Sequence, residues 1–184
     1  MIDFERKDTR RRLIDAATDW LSHHSAQALT LEAVAKHAGV SKGGLLHHFA
    51  SKEALVEAVL RELFASFERQ VSERAAGEPD QPGRWLRAYV AATYADHAPP
   101  LDVFVNLLSQ ITAQPGLLEL VRGDFLRWQA RLLDDGVPAE RATIVRQAAD
   151  AFWSERLLDV AATDDASRQR QRDALFALIA GEAL

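Results

Sequence analysis

Residues 30–52 read TLEAVAKHAGVSKGGLLHHFASK, and this stretch decides the fold. Two short helical segments flank a tight turn at Ala38-Gly39-Val40-Ser41. Thr30 is placed to cap the first, since its hydroxyl can accept from a backbone N–H at the helix start. Val34 and Ala35 then face inward. Gly39 can take the left-handed conformation that ends a helix. Ser41 is placed to cap the second segment, and Ser51 the helix after it. Val34, Ala38 and Val40 are small enough for two helices to cross closely, while Leu45 and Phe49, one turn apart, anchor the second segment. The layout is helix-turn-helix, whose second helix fits the major groove of DNA.

The face opposite Leu45 and Phe49 carries Lys42, Gly43, Gly44, Leu46, His47 and His48. Two glycines in so short a helix cost about 1 kcal/mol each relative to Ala. A close partner such as a DNA backbone or base edge is one reason to keep them. Backbone N–H groups at the helix starts capped by Ser41 and Ser51 suit phosphate oxygens. Arg10, Arg11 and Arg12 point in different directions on a helix, so one or two of them reach phosphate at most. Arg6 and Lys7 would form an arm. Adjacent residues such as His47 and His48 diverge by about 100° on a helix, whereas metal pairs favour i, i+4 spacing, so no metal site is expected. His23 and His24 read as an exposed helix end, and His97, beside Pro99-Pro100, as a surface cap or a pocket-lining residue.

Outward from this stretch the pattern stays helical. Leu13, Ala16, Ala17, Trp20 and Leu21 share one face of a helix over about residues 7–23. Leu55, Val59, Leu63, Phe67 and Val71 repeat every four residues, up to about Ala75. Gly77-Glu78-Pro79-Asp80-Gln81-Pro82-Gly83 is the clearest break. Helical segments follow at about 83–97, 101–113, 115–134, 138–161 and 166–181. No strand pattern, internal repeat or low-complexity tract is present. The expected fold is all-α with about nine helices.

Composition narrows the function. The 184 residues include no cysteine, which removes disulfides, thiolate chemistry and cysteine-bound zinc or iron–sulfur centres. Apolar runs fall far short of the roughly 20 residues that cross a bilayer, and the chain starts with charged residues rather than an apolar signal core. A cytoplasmic protein with no membrane partner is expected. The net charge of −5 is uneven. Residues 1–60 are neutral and hold every lysine and five of six histidines, so the acidity lies in the remainder. There is no Ser/His/Asp cluster, carboxylate pair, phosphate loop or metal spacing; Asp150 and Glu155 stand as single acids. No catalytic residue and no cofactor are expected.

The remainder of the chain is rich in aromatics. A cavity among such helices would be lined by aromatic residues with a few polar groups. The candidates on or near apolar faces are Tyr89, Thr93, Phe104, Asn106, Gln110, Trp128 and Trp153. Few cations lie on these faces, which speaks against a strongly anionic ligand. Ile144, Ala148, Ala151, Phe152 and Leu158 form one stripe, and Leu175, Leu178 and Ile179 another. Small Ala residues let helices approach, so the two stripes suit a four-helix dimer interface. They could instead pack only within one chain.

The residues Thr30, Ala35, Ala38-Gly39-Val40-Ser41-Lys42-Gly43, Leu45, His48-Phe49, Ser51-Lys52-Glu53 and Leu55 resemble the N-terminal signature of TetR-type transcriptional regulators. The motif spans Thr30 to Leu55, and the layout of the whole chain is similar. The resemblance implies a three-helix DNA-binding head over residues 1–52 and a ligand-binding and dimerisation domain over 53–184, with the helix from 52 to about 75 linking them. It implies a homodimer on a palindromic double-stranded operator, released when a small effector binds. Lys42, Gly44, Leu46 and His47 would face the groove, and His48 and Lys52 would meet phosphates. Thr30, at the start of the second helix, would touch backbone, and Ser41 and Gly43 lie at the start of the third. This chain departs from the family at Gly44, commonly Thr, and at Leu46, commonly Tyr. Base readout then falls to Lys42, His47 and the N-terminal arginines, with Leu46 suited to a thymine methyl. A ligand-independent DNA-binding or architectural protein with a solid tail is the alternative.

Overall fold

A computed structural model describes residues 2–95, 101–158, 160 and 164–182. Among these residues there are nine α-helices and no strand. They are α1 (Ile2–His23), α2 (Leu31–His37), α3 (Lys42–His48), α4 (Lys52–Gly77), α5 (Arg84–Thr93), α6 (Leu101–Ala113), α7 (Pro115–Leu133), α8 (Ala139–Leu158) and α9 (Asp165–Ala180). The Pro99-Pro100 break and His97 lie outside the described residues.

The chain forms two compact units. The first comprises Met1–Phe64 with Pro100–Glu119, the second Ala65–Pro99 with Leu120–Leu184. In the first unit, α1 packs on α2, α3 and α6, and α2 packs on α3. Its buried residues follow the helical period: Leu13, Ala17 and Leu21 on α1, Leu55, Val59 and Leu63 on α4, and Val103, Leu107 and Ile111 on α6. Trp20 departs from the α1 stripe. It is only half-buried and stacks on His24, with ring centroids 4.1 Å apart. Asn106 of α6 donates from Nδ2 to the Leu21 carbonyl at 2.7 Å and accepts from the Ala26 N–H at 3.3 Å. It thereby satisfies a carbonyl that the end of α1 leaves without a helical partner.

In the second unit, α5, α8 and α9 pack on one another. The core gathers Val71, Leu86, Tyr89, Trp128, Leu132, Val145, Phe152, Leu175 and Ile179 among others. The start of α5 is capped from another loop. Buried Asp135 accepts from Leu86 N–H through its carboxylate at 2.8 Å, and its carbonyl accepts from Gly83 N–H at 2.7 Å. Gly83 sits at φ +83°, and a Cβ there would collide with Ile179 Cγ2, so only glycine fits this corner.

Candidate nucleic-acid interface

The helix-turn-helix is built by five local devices. Thr30 Oγ1 accepts from Ala33 N–H at 3.1 Å, Ser41 Oγ from Gly44 N–H at 3.0 Å, and Ser51 Oγ from Ala54 N–H at 3.2 Å. Gly39 at φ +65° ends α2 in the left-handed region. Leu45 is fully buried and Phe49 nearly so, which fixes the rotation of α3. That rotation leaves Lys42, Gly43, Leu46 and His47 exposed, with Gly44 and His48 partly covered. Leu46, 44% exposed, is a large apolar side chain with no place in the core.

Lys42, Lys52 and His48 have identifiable positions. Lys42 Nζ lies 3.6 Å from Glu32, both groups well exposed, so the pair is weak and yields readily to phosphate or a base edge. Lys52 Nζ donates to the Gln27 carbonyl at 3.2 Å, which holds it beside the loop between α1 and α2. An ammonium has three donors, so two remain for phosphate. The His48 ring is T-shaped against His47, with centroids 5.6 Å apart. Burial, reinforced by His47, Arg6 and Arg10, lowers its pKa below the ordinary value. Phosphate would oppose those neighbours and favour the charged ring.

The arginine run is divided among internal tasks. The Arg10 guanidinium lies 5.3 Å from the Phe49 ring centroid. Arg11 bonds Asp15 at 2.9 Å and Glu62 at 3.0 Å. Arg12 donates to the Ala38 carbonyl at 2.7 Å and so ties α1 to the helix-turn-helix corner. No periodicity announces that last contact. The two glycines of α3 also differ. A Cβ at Gly43 meets nothing within 4 Å, whereas one at Gly44 would lie 2.9 Å from Val40 Cγ1 and 3.2 Å from Ser41 Oγ. Space for the protein's own turn, rather than for a partner alone, accounts for Gly44.

The ligand candidates fall into two groups. Phe104, Asn106 and Gln110 are in the first unit, half-buried on α6. Asn106 holds the end of α1, and Gln110 accepts from Gln114 at 2.7 Å. Tyr89, Thr93, Trp128 and Trp153 are in the second unit, where Thr93 donates to the Tyr89 carbonyl at 2.9 Å and Trp153 is half-buried. Tyr89, Trp128 and Phe67 form a mutual aromatic cluster with centroids 5.4 to 5.7 Å apart. Trp128 is 4% exposed, and its Nε1 has no hydrogen-bond partner among the described residues.

Around this cluster lies a polar network. The Tyr89 hydroxyl donates to Asp150 at 2.6 Å, and Arg146 reaches the other Asp150 oxygen at 2.5 Å. Burial raises the Tyr89 pKa well above its ordinary value, helped by the Asp150 charge. Burial likewise raises Asp150 and Asp124 against the pull of Arg146 and Arg127. The i, i+4 spacing Arg146–Asp150 was the available sequence signal for this network. No group of metal-binding side chains occurs among the described residues.

The dimer candidates are also divided. Phe152, Leu175 and Ile179 lie in the core of the second unit, with Leu178 and Ala148 packed against it. Ile144, Ala151 and Leu158 remain exposed, two of them strongly: Ile144 is 57% and Leu158 59% accessible.

Comparison with known proteins agrees with this layout. Residues 13–59 match the family described as bacterial regulatory proteins, tetR family, and residues 83–180 match the tetracyclin repressor-like C-terminal domain. The HTH-type transcriptional regulator BetI of Burkholderia mallei (strain NCTC 10229) is 30% identical over 150 residues, covering 80% of this chain and 77% of that protein. A transcriptional regulator of Pseudomonas aeruginosa PAO1 shares the fold with a TM-score of 0.76 at 20% identity, covering 94% of this chain and 88% of its own. The multidrug binding protein EbrR, solved with imidazole, gives 0.66 at 21% identity over 93% of this chain and 89% of its own. The helix-turn-helix with its free α3 face and these matches lead to one conclusion: the chain belongs to the tetR family and is a DNA-binding transcriptional regulator.

Proposed function

We propose that this regulator binds a palindromic operator as a homodimer and releases it when a small molecule enters the second unit. The observation that carries the DNA part is the face of α3. Lys42, Leu46 and His47 are exposed there, while the opposite side of the helix is locked by Leu45 and Phe49. Lys42 and His47 read base edges, Leu46 contacts a thymine methyl, and Thr30, the Ser41 helix start, His48 and Lys52 meet phosphates. Gly43 leaves room for a close backbone. The head extends over 1–52, and 53–184 serves effector binding and dimerisation.

The effector part rests on the Phe67–Tyr89–Trp128 cluster. An unpaired Trp128 donor inside it is a costly feature unless a guest accepts from it. α4 is common to both units, with Lys52 in the first and Phe67 in the second. A rearranged Phe67 therefore has a covalent route to Lys52, and a ligand that prefers the rearranged state shifts the population away from DNA. The name of EbrR, a multidrug binding protein, fits an aromatic site of this kind.

The test is a titration of labelled operator by anisotropy, with Trp fluorescence recorded in parallel against a library of small aromatic and amphiphilic compounds. A compound that perturbs Trp128 and lowers operator affinity supports the reading, provided Trp128→Phe abolishes both effects. Compounds that bind at Trp128 and leave operator affinity unchanged would favour a ligand-independent DNA-binding protein.

A further inference from the structure

Asn106 does more than close the end of α1. The closure is one half of its contact: Nδ2 donates to the Leu21 carbonyl at 2.7 Å. The other half reaches past the helix. The backbone carbonyl of Asn106 accepts from Ala26 N–H at 3.3 Å, and Ala26 belongs to the loop that joins α1 to α2. A helix carbonyl has a second lone pair for such a donor. Capping of α1 accounts for the first bond but not for the second.

The loop over residues 25–29 is short and firmly built. Ala28 N–H donates to the Ser25 carbonyl at 3.1 Å, and Leu29 N–H to the Ala26 carbonyl at 3.3 Å. The Ala26 and Leu29 side chains are both buried, which pins the loop at two points. Two internal bonds and two anchors make so short a segment move as a body. A displacement at Ala26 is therefore passed to Gln27 beside it.

The same loop sets the groups that face phosphate. The Gln27 carbonyl accepts from Lys52 Nζ at 3.2 Å. Thr30 follows the loop directly and caps α2. The connection is continuous: Asn106 holds Ala26, the chain joins Ala26 to Gln27, and Gln27 holds Lys52. α6 is itself fixed by the buried side chains of Val103, Leu107 and Ile111. All of these residues lie in the first compact unit. A lysine gives up rotamer freedom when it grips phosphate. The Gln27 carbonyl has already taken part of that freedom from Lys52, so its grip depends on where the loop stands.

We propose that Asn106 is a positioning residue for DNA binding: it holds the loop that presents Lys52 and Thr30 to the phosphate backbone. This role rests on the reading of Lys52 and Thr30 as phosphate contacts. It differs from the route along α4, because it places a control of affinity on α6, inside the unit that carries the helix-turn-helix. Phosphate contacts carry no sequence information, so Asn106 sets the strength of binding and not the base preference.

The test uses the full chain and a short duplex of random sequence, so that phosphate contacts alone are read. Anisotropy titrations give the slope of log affinity against log salt. Asn106 carries no charge, so a change of slope on its substitution has to come through a cation. Asn106→Ala should lower affinity and reduce the slope by about half an ion to one ion. In a Lys52→Ala background it should reduce the slope no further. Lys42, paired with Glu32 rather than with the loop, is the control: Asn106→Ala and Lys42→Ala should act independently. A merely structural role predicts a lower melting temperature with the slope of the parent. That result, or an equal drop of slope with and without Lys52, would overturn the proposal. A Lys52→Ala variant that keeps the parent slope would remove the phosphate reading itself, and the role of Asn106 with it. If Asn106→Ala fails to fold, hydrogen exchange of the Ala26 N–H in the parent chain decides. Coupling between two sites is reciprocal, so the duplex should slow that exchange severalfold. Exchange that the duplex leaves unchanged would overturn the proposal.

Discussion

Lys52 is held by one hydrogen bond and free to make two more. Its tie to the Gln27 carbonyl sets its position, and the remaining donors face solvent at the start of α4. A phosphate contact of this kind carries no sequence information. Lys52→Ala should therefore weaken binding to all DNA sequences alike and reduce the salt slope by about one ion. Unchanged affinity at moderate salt removes the contact. Lys42 should behave differently, because its weak pairing with Glu32 leaves it free for a base edge. Lys42→Ala should change the preference at one half-site position, and an unaltered profile denies it readout. His48 adds a pH effect. Its folded-state pKa is lowered, chiefly by burial, which favours the neutral ring in the free head. The free protein accordingly loses stability from this group as pH falls through the unfolded value. A phosphate beside the ring reverses the sense for binding, since the complex takes up the proton that the free head resists. Operator affinity should rise from pH 7.5 toward 6, and His48→Gln should flatten that rise in anisotropy titrations.

The short recognition helix shows which parts of an element a sequence reveals. Its caps at Ser41 and Ser51, the Gly39 terminator and the Leu45–Phe49 anchor are local, and local chemistry is read directly from residue type and spacing. The reason for Gly44 is not local in that sense. The clash with Val40 Cγ1 depends on the angle of the turn, which no spacing rule supplies. The two glycines can be separated by experiment. Gly43→Ala has open space and should raise helix stability by about 1 kcal/mol, seen as a higher melting temperature, while lowering DNA affinity if a phosphate approaches there. Gly44→Ala must displace a stiff β-branched side chain and should not show that gain. Equal melting temperatures for the two variants would contradict the assignment. α6 gives the converse case. Its period identified a helix, but an apolar stripe does not name its partner, and the packing on α1 through Asn106 came only with the fold. The same holds for the bond from Tyr89 to Asp150, which joins α5 to α8 from distant places in the chain.

At the scale of the molecule, a head this small reads only a few base pairs, so specificity requires two copies at fixed spacing. α8 offers the means. Ile144, Gln147, Ala151, Ser154 and Leu158 are all exposed and repeat at alternating steps of three and four, the spacing of a helix–helix seam. Phe152, Leu175 and Ile179 lie in the core of the second unit. Ile144→Asp should leave the helical content intact, shift the sedimentation of the protein toward a monomer, and lower operator affinity in parallel. A variant that still sediments as the parent would place the dimer contact elsewhere. Two heads acting as a pair would read a symmetric DNA sequence. The most direct measurement is selection of bound DNA from a random pool with the purified protein. An enriched inverted repeat is expected, with one fixed half-site spacing near one helical turn of about 34–36 Å or a multiple of it. A pool without an enriched motif, or one enriched only in single half-sites, would rule out paired reading of a symmetric site.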